Sequence, residues 1–286
     1  MSIRVNPLSD FMACEITGVD LSKPPDDATF KQIEKAFYDF QVIAIRDQRI
    51  SPENQVAFTR RFGDVEPHNT TEFVIPDTPE VLVLSNDVRD GKPVGVIDAG
   101  DFWHSDSSHR KVPSKATILH SLKNPDEGGD TLFANTYRSY ETLPEAIKRR
   151  IAGLQGIHAA SKLKNKRVEV SKDRPGATDF YASRLGRPDV AHPIMMVHPA
   201  TGRKALYISP RFTIGIVGMP QDEADELLDL LFDHMLKMDF QYHHKWRDND
   251  LVMWDNRCLL HKAGGGYQYP DIRLLHKTVV AGDKAN

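Results

Sequence analysis

His104 and Asp106, in the run Phe102-Trp103-His104-Ser105-Asp106, are the first residues whose types and spacing suggest chemistry. Residues i and i+2 of an extended chain project to the same side. An imidazole nitrogen and a carboxylate oxygen would therefore meet at one point. Two histidines and one carboxylate on one face of an octahedron leave three positions open, the arrangement of non-haem Fe(II) oxygenases. A third ligand must come from elsewhere, and a His-x-Asp tripeptide gains meaning only from its context. The adjacent His243 and His244 sit in a predicted strand and face opposite ways, so they cannot chelate one ion together. Further on, Leu251–Asp255 reads as a buried strand leading through the polar Asn256-Arg257 turn to a single His261. Arg273 follows at the start of the last predicted strand, where Arg273, Leu275, Lys277 and Val279 share one face by period two and His276 faces away. Cys258 reads as a packed thiol. Gly264-Gly265-Gly266 lacks the strand–loop–helix context of a phosphate cradle and reads as a flexible active-site loop.

The elements that must position these groups are mostly strands. Expected strands are Gln41–Arg46, Val81–Ser85, Thr117–Ser121, Thr131–Ala134, Leu206–Ser209, Phe240–Trp246, Leu251–Asp255 and Arg273–Ala281. Phe30, Ile33, Phe37 and Phe40 recur at helical spacing over 28–40. Ser51-Pro52-Glu53 starts a second helix, expected to run to Phe62 and stop at Gly63. Pro144 opens a third and Pro220 a fourth, whose apolar face is Ala224, Leu227, Leu228, Leu231 and Met235. Strands do not alternate with helices, which argues against a doubly wound parallel sheet. A mixed α/β fold, mainly β, is expected: a sandwich or jelly roll with helices packed outside.

The chain has 286 residues, within reach of one large domain, and no Pro/Gly-rich linker divides it. A single domain over 1–286 is expected. Lys plus Arg is 37 against 40 Asp plus Glu, a net charge of −3, which argues against a nucleic-acid binder. The two cysteines, Cys14 and Cys258, make no disulfide framework and suit a reducing compartment. No apolar run approaches the roughly 18–20 residues of a membrane span, and the first ten residues hold no apolar core of a secretory signal. A cytoplasmic protein with no membrane partner is the expectation.

Taken together, several runs resemble one family. They are Trp103-His104-Ser105-Asp106-Ser107-Ser108, Gly128-Gly129-Asp130-Thr131, Val197-His198-Pro199 with Thr201-Gly202-Arg203, Trp254-Asp255-Asn256-Arg257 with His261, and Arg273-Leu274-Leu275-His276-Lys277. In this order they resemble the Fe(II)/2-oxoglutarate-dependent dioxygenases that include taurine dioxygenase and chlorophenoxyacetate dioxygenase. A weaker match around Phe58 and Arg61-Phe62-Gly63 extends the resemblance over nearly the whole chain. It implies a double-stranded β-helix (jelly-roll) core with Fe(II) held by His104, Asp106 and His261. It implies 2-oxoglutarate as cosubstrate, its far carboxylate on Arg273 with help from Thr131, and O2 as oxidant, with succinate and CO2 released. An Arg fork matches a carboxylate bidentately, and a set of imidazole and hard oxygen without thiolate suits Fe(II).

The resemblance also implies that Lys277 and His68 contact the anionic group of a small organic substrate, and that the chain forms a homo-oligomer, a dimer or tetramer. Two departures bear on specificity. Lys277 stands where Arg is usual, losing the bidentate fork. His109 stands where Phe or Tyr is common, making the wall more polar. The substrate class is a carboxylate such as an aryloxyalkanoate, slightly preferred, or a sulfonate such as taurine. Two alternatives stay open: a metal-dependent hydrolase on the same triad, and a non-catalytic anion-binding jelly roll.

Overall fold

The computed structural model describes residues 3–68, 72–97, 100–160 and 187–283. Within these, strands outnumber helices, and the architecture is mixed α/β, mainly β. The strands that build the site are β1 (Arg4–Pro7), β2 (Cys14–Thr17), β3 (Val42–Ile45), β4 (Val74–Ile75), β5 (Thr78–Ser85), β6 (Ala116–Lys123), β7 (Thr131–Asn135), β8 (Gln241–His244), β9 (Leu251–Asp255), β10 (Leu259–Ala263) and β11 (Leu274–Val280). An eight-stranded sheet runs β1-β2-β3-β9-β6-β11-β5-β4, antiparallel except for the β2–β3 pair. A second, three-stranded antiparallel sheet runs β8-β7-β10.

Both faces of the large sheet are covered, and the alternation of its strands shows by what. Ile43, Ile45, Leu251 and Met253 point to one side, into a cluster with Ile33, Phe37, Phe58 and Phe62. Val42, Ala44, Val252 and Trp254 point to the other, packing on Phe133 and Leu259 of the small sheet. Period two thus sends successive residues into two different cores. A fully buried apolar side chain contributes about 1.5–3 kcal/mol, so this central stack is the anchor for everything mounted on it.

Two helices cover the outer face. α1 (Asp27–Phe40) is capped by the Asp26 carboxylate accepting from Thr29 N and ends at Gln41 in the left-handed region, φ 66°. α2 (Pro52–Arg60) begins with a reciprocal Ser51/Asn54 capping box. It stops two residues short of the expected Phe62. Arg61 and Phe62 form tighter turns, with Phe62 N donating to Thr59 O, and this carries Phe62 against Phe30, Phe37 and Phe58 at 4.9–5.5 Å. α3 (Thr136–Glu141) was not foreseen; α4 (Glu145–Ile151) and α5 (Gln221–Met235) start after Pro144 and Pro220 as expected. The five apolar positions expected on the α5 face are all buried.

The expected strand Leu206–Ser209 lies instead at Lys204–Leu206. Ser209 leaves the strand because its N–H donates to the Thr213 hydroxyl and its carbonyl accepts from Thr213 N, closing a turn. No helix among the described residues is long and apolar enough to cross a membrane.

Candidate metal centre

His261 lies in the middle of β10, opposite Phe133 of β7. It was expected after a turn; both sides of β10 are buried there, so no alternation marks the strand. The segment carrying His104 docks on it as an antiparallel bridge: His104 N donates to His261 O at 3.1 Å and His261 N to His104 O at 2.8 Å. Residues separated by most of the chain are thereby side by side, their rings 4.2 Å apart. Ser107 then turns with φ 58°, ending the extended run just after Asp106.

Three ligand atoms converge. Asp106 Oδ1 is 3.4 Å from His104 Nε2 and 3.9 Å from His261 Nε2. Phe102 O lies 2.7 Å from His104 Nδ1, which assigns a proton to Nδ1 and makes Nε2 the nitrogen turned to Asp106. Burial, and then the neighbouring His104, hold the His261 pKa well below the usual histidine range, so its imidazole is neutral. Burial alone would raise Asp106; the Lys277 ammonium is the largest of the effects that outweigh it and hold the carboxyl well below its usual range. Two imidazoles and one carboxylate fit a divalent ion that takes imidazole and hard oxygen ligands, such as Fe(II) or Mn(II).

The other oxygen of Asp106 is already engaged. Oδ2 accepts from Thr117 Oγ1 at 2.6 Å and from Lys277 Nζ at 2.8 Å. Thr117 Oγ1 accepts in turn from Asn256 Nδ2, and Asn256 Oδ1 accepts from Trp254 Nε1, each at 3.0 Å. Ser105 Oγ closes the frame by donating to Asn256 O at 2.5 Å. With Oδ2 held from outside, Oδ1 is the oxygen turned toward the histidines, the outer support that fixes a metal ligand's orientation.

At the other end of the site, Arg273 is buried just before β11. Its backbone N donates to Asn86 Oδ1 and its Nε to Gly129 O at 3.1 Å. Trp246 faces the guanidinium at 5.7 Å and donates its Nε1–H to Thr131 Oγ1 at 3.0 Å. The triple glycine lies in an irregular segment that meets the Gly128-Gly129 run. Gly264 N donates to Asp130 O and Gly129 N to Gly265 O, both at 2.7 Å. A Cβ on Gly128 would lie 2.6 Å from Gly266 O, so the two glycine runs approach as only glycine allows.

Lys277 reaches Asp106, and His68 lies near enough to Lys277 to feel its charge. His68 Nε2–H donates to Glu80 O at 2.9 Å, and its pKa is lowered by burial and then by the Lys277 charge. His109 is buried with its ring 4.7 Å from Phe212, which itself stands 6.1 Å from His104. Sequence reasoning missed Thr117 and Trp246; both contact their partners only through tertiary structure and carry no spacing signal. A second ligand-type cluster, His198, Asp255 and Cys258, is closed to metal. His198 Nδ1 accepts from Ala200 N and Thr201 N, its Nε2–H donates to Asp255, and Arg257 grips both oxygens of Asp255.

The family model described as taurine catabolism dioxygenase TauD, TfdA family matches residues 4–279. The chain is 31% identical over 294 residues to an alpha-ketoglutarate-dependent 2,4-dichlorophenoxyacetate dioxygenase of Cupriavidus pinatubonensis, covering 99% of each protein. A crystal structure of a taurine dioxygenase from Burkholderia xenovorans superposes with TM-score 0.81 at 30% identity, over 99% of this chain and 90% of that one. A structure of AAD-2 in complex with Mn(II) and N-oxalylglycine superposes with TM-score 0.78 at 28% identity, over 99% of both.

Proposed function

The chain belongs to the TauD, TfdA dioxygenase family, and from that premise we propose how its own residues carry the reaction. It is an alpha-ketoglutarate-dependent dioxygenase, an oxidoreductase. His104, Asp106 and His261 would hold Fe(II) within a single jelly-roll domain, and three protein ligands of this kind would leave room on the ion for the cosubstrate and O2. Fe(II) bound there supplies the oxidative decarboxylation of 2-oxoglutarate by O2, giving succinate, CO2 and a hydroxylated substrate. What carries this reading is the convergence of Nε2, Nε2 and Oδ1 with Asp106 Oδ2 withheld by Thr117 and Lys277.

The protein's part is binding, orientation and water exclusion. Arg273 keeps its Nε on Gly129 O and offers its terminal nitrogens to the far carboxylate of 2-oxoglutarate. Thr131 adds a hydroxyl donor. Lys277 spends one N–H on Asp106; an ammonium has three donors, so two are available for the substrate's anion, with His68 beside it. Phe102 and Phe212 wall the His104 side and exclude water. The substrate is a small organic anion: a carboxylate such as an aryloxyalkanoate, in keeping with the dichlorophenoxyacetate relative, ahead of a sulfonate such as taurine. The enzyme acts as a homo-oligomer, a dimer or tetramer, in the cytoplasm.

The test is a panel of aryloxyacids, other small carboxylates and sulfonates, scored by succinate formed under air with Fe(II). Acid-dependent succinate is the expected result, lost in His104→Ala and Asp106→Ala. Turnover of a substrate that proceeds without 2-oxoglutarate would favour hydrolysis on the same ligands. Full succinate release by either variant would rule out the ligand set.

A further inference from the structure

We infer that Trp246 is a positioning residue for the cosubstrate: its indole N–H commits Thr131 to donate its own hydroxyl hydrogen, while its ring face backs the Arg273 guanidinium. This rests on the assignment of Thr131 and Arg273 to the far carboxylate of 2-oxoglutarate.

Four observations meet at this indole. Trp246 Nε1 lies 3.0 Å from Thr131 Oγ1. An indole N–H can only donate, whereas a hydroxyl carries one donor and two acceptor lone pairs. The direction of this bond is therefore fixed, and the Thr131 hydrogen must point away from Trp246. Among the described residues, the Trp246 N–H is the one hydrogen-bond partner of Thr131 Oγ1. Thr131 is thus left as a donor, the role a carboxylate ligand requires.

Secondly, the Arg273 guanidinium stands 5.7 Å from the centre of the Trp246 ring, within cation–π range. One side chain therefore touches both residues assigned to the carboxylate. Thirdly, Arg273 and Thr131 are tied to the same short segment, since Arg273 Nε donates to Gly129 O and Thr131 is two residues on. Fourthly, the indole is itself held in place. It continues from β8, whose His244 pairs with Thr131 in register. The buried His244 ring meets the indole edge-on at 4.9 Å. Trp246 is placed to fix the hydroxyl rotor and the guanidinium plane before the cosubstrate arrives, which lowers the cost of ordering them on binding.

The substitutions separate the two contacts. Trp246→Phe keeps an aromatic face and deletes the N–H. Trp246→Leu deletes both. Thr131→Val keeps the shape and deletes the hydroxyl. The probe is N-oxalylglycine, a non-reactive 2-oxoglutarate mimic, titrated calorimetrically into Mn(II)-loaded full-length protein. Expected for Trp246→Phe is a 2–10-fold weaker N-oxalylglycine Kd, the range of one net hydrogen bond. The Mn(II) affinity measured without N-oxalylglycine stays unchanged, a separation that general unfolding would not produce. In the Thr131→Val background, adding Trp246→Phe changes the Kd less than twofold, because the hydroxyl through which the N–H acts is gone. In that same background Trp246→Leu weakens binding further than Trp246→Phe, reporting the ring face.

Wild-type affinity in Trp246→Phe, or the same loss with and without the Thr131 hydroxyl, overturns the N–H role. Equal affinities of the Phe and Leu variants in the Thr131→Val background overturn the ring role. Failure of the wild-type protein to bind N-oxalylglycine at all overturns the parent assignment of the site, a distinct result read in the same titration.

Discussion

At the scale of single residues, the site divides into what spacing reveals and what only folding creates. His104 and Asp106 were legible because i and i+2 in an extended chain must share a side, and their Nε2 and Oδ1 do come within 3.4 Å. Thr117, which holds the outer oxygen of Asp106, was expected only as a strand residue. Trp246, 115 positions from Thr131, was likewise expected only as the end of a strand. Lys277 shows the same division. Period two put it on the face of Arg273, but its bond to Asp106 Oδ2 is a tertiary fact. Lys277→Ala is expected to raise KM for an anionic substrate about tenfold or more, the loss of a charged hydrogen bond, while N-oxalylglycine affinity stays nearly unchanged. Steady-state kinetics with the best acid of the panel checks this; an unaltered KM would move the substrate anion off Lys277. Asn256→Ala, which removes the support of Thr117, is expected to weaken Mn(II) binding by about 10-fold, the lower end for groups that orient a metal ligand, and a Mn(II) titration measures it.

Helices were legible from periodicity and start signals, and the strand Leu251–Asp255, buried at all five positions, from its apolar run. α1, α2 and α5 carry clear helical periodicity and start signals, and each was found within a few residues of expectation. The strand of His261 was not legible, because the apolar run before His261 is only Leu259-Leu260, too short to mark a strand. The short α3 gives too few turns for a period to register. That Gly128-Gly129 and Gly264–Gly266 meet each other is also a tertiary fact that a lone sequence does not carry. Their contact supports the carbonyl that holds Arg273 Nε. At Gly128 φ is +77° and an added Cβ would collide with Gly266 backbone atoms, so Gly128→Ala is expected to cost about 2 kcal/mol or more. It should lower Tm and weaken N-oxalylglycine binding more than Mn(II) binding. Unchanged Tm and affinity would show that the two runs separate freely.

For the whole molecule, the two cores on either side of the large sheet make the site a rigid product of long-range pairing, and they also bury many imidazoles. Burial, followed by its histidine neighbours, lowers His158 to about 3; burial and then His120 lower His276 to about 4. His120, His192 and His244 are shifted down as well, each chiefly by burial. In the unfolded chain these groups titrate near their ordinary value of about 6.5. Between the folded and unfolded values the unfolded chain binds more protons, so stability rises with pH, is complete above the unfolded pKa, and is lost as pH falls below it. His158 alone contributes up to about 1.4 kcal/mol per pH unit across that window. The metal-free protein is expected to lose at least about 3 °C of Tm between pH 7 and pH 5.5; a flat Tm would mean that these histidines ionise inside the fold without penalty.

The most direct measurement of the ligand set is a Mn(II) titration in the presence of N-oxalylglycine, with free Mn(II) followed by its electron paramagnetic resonance signal. One ion bound per chain is expected for the wild-type protein, with binding lost in Asp106→Ala and in His261→Ala variants that keep the wild-type fold. An unchanged one-ion stoichiometry and affinity in either folded variant would contradict a centre built from His104, Asp106 and His261.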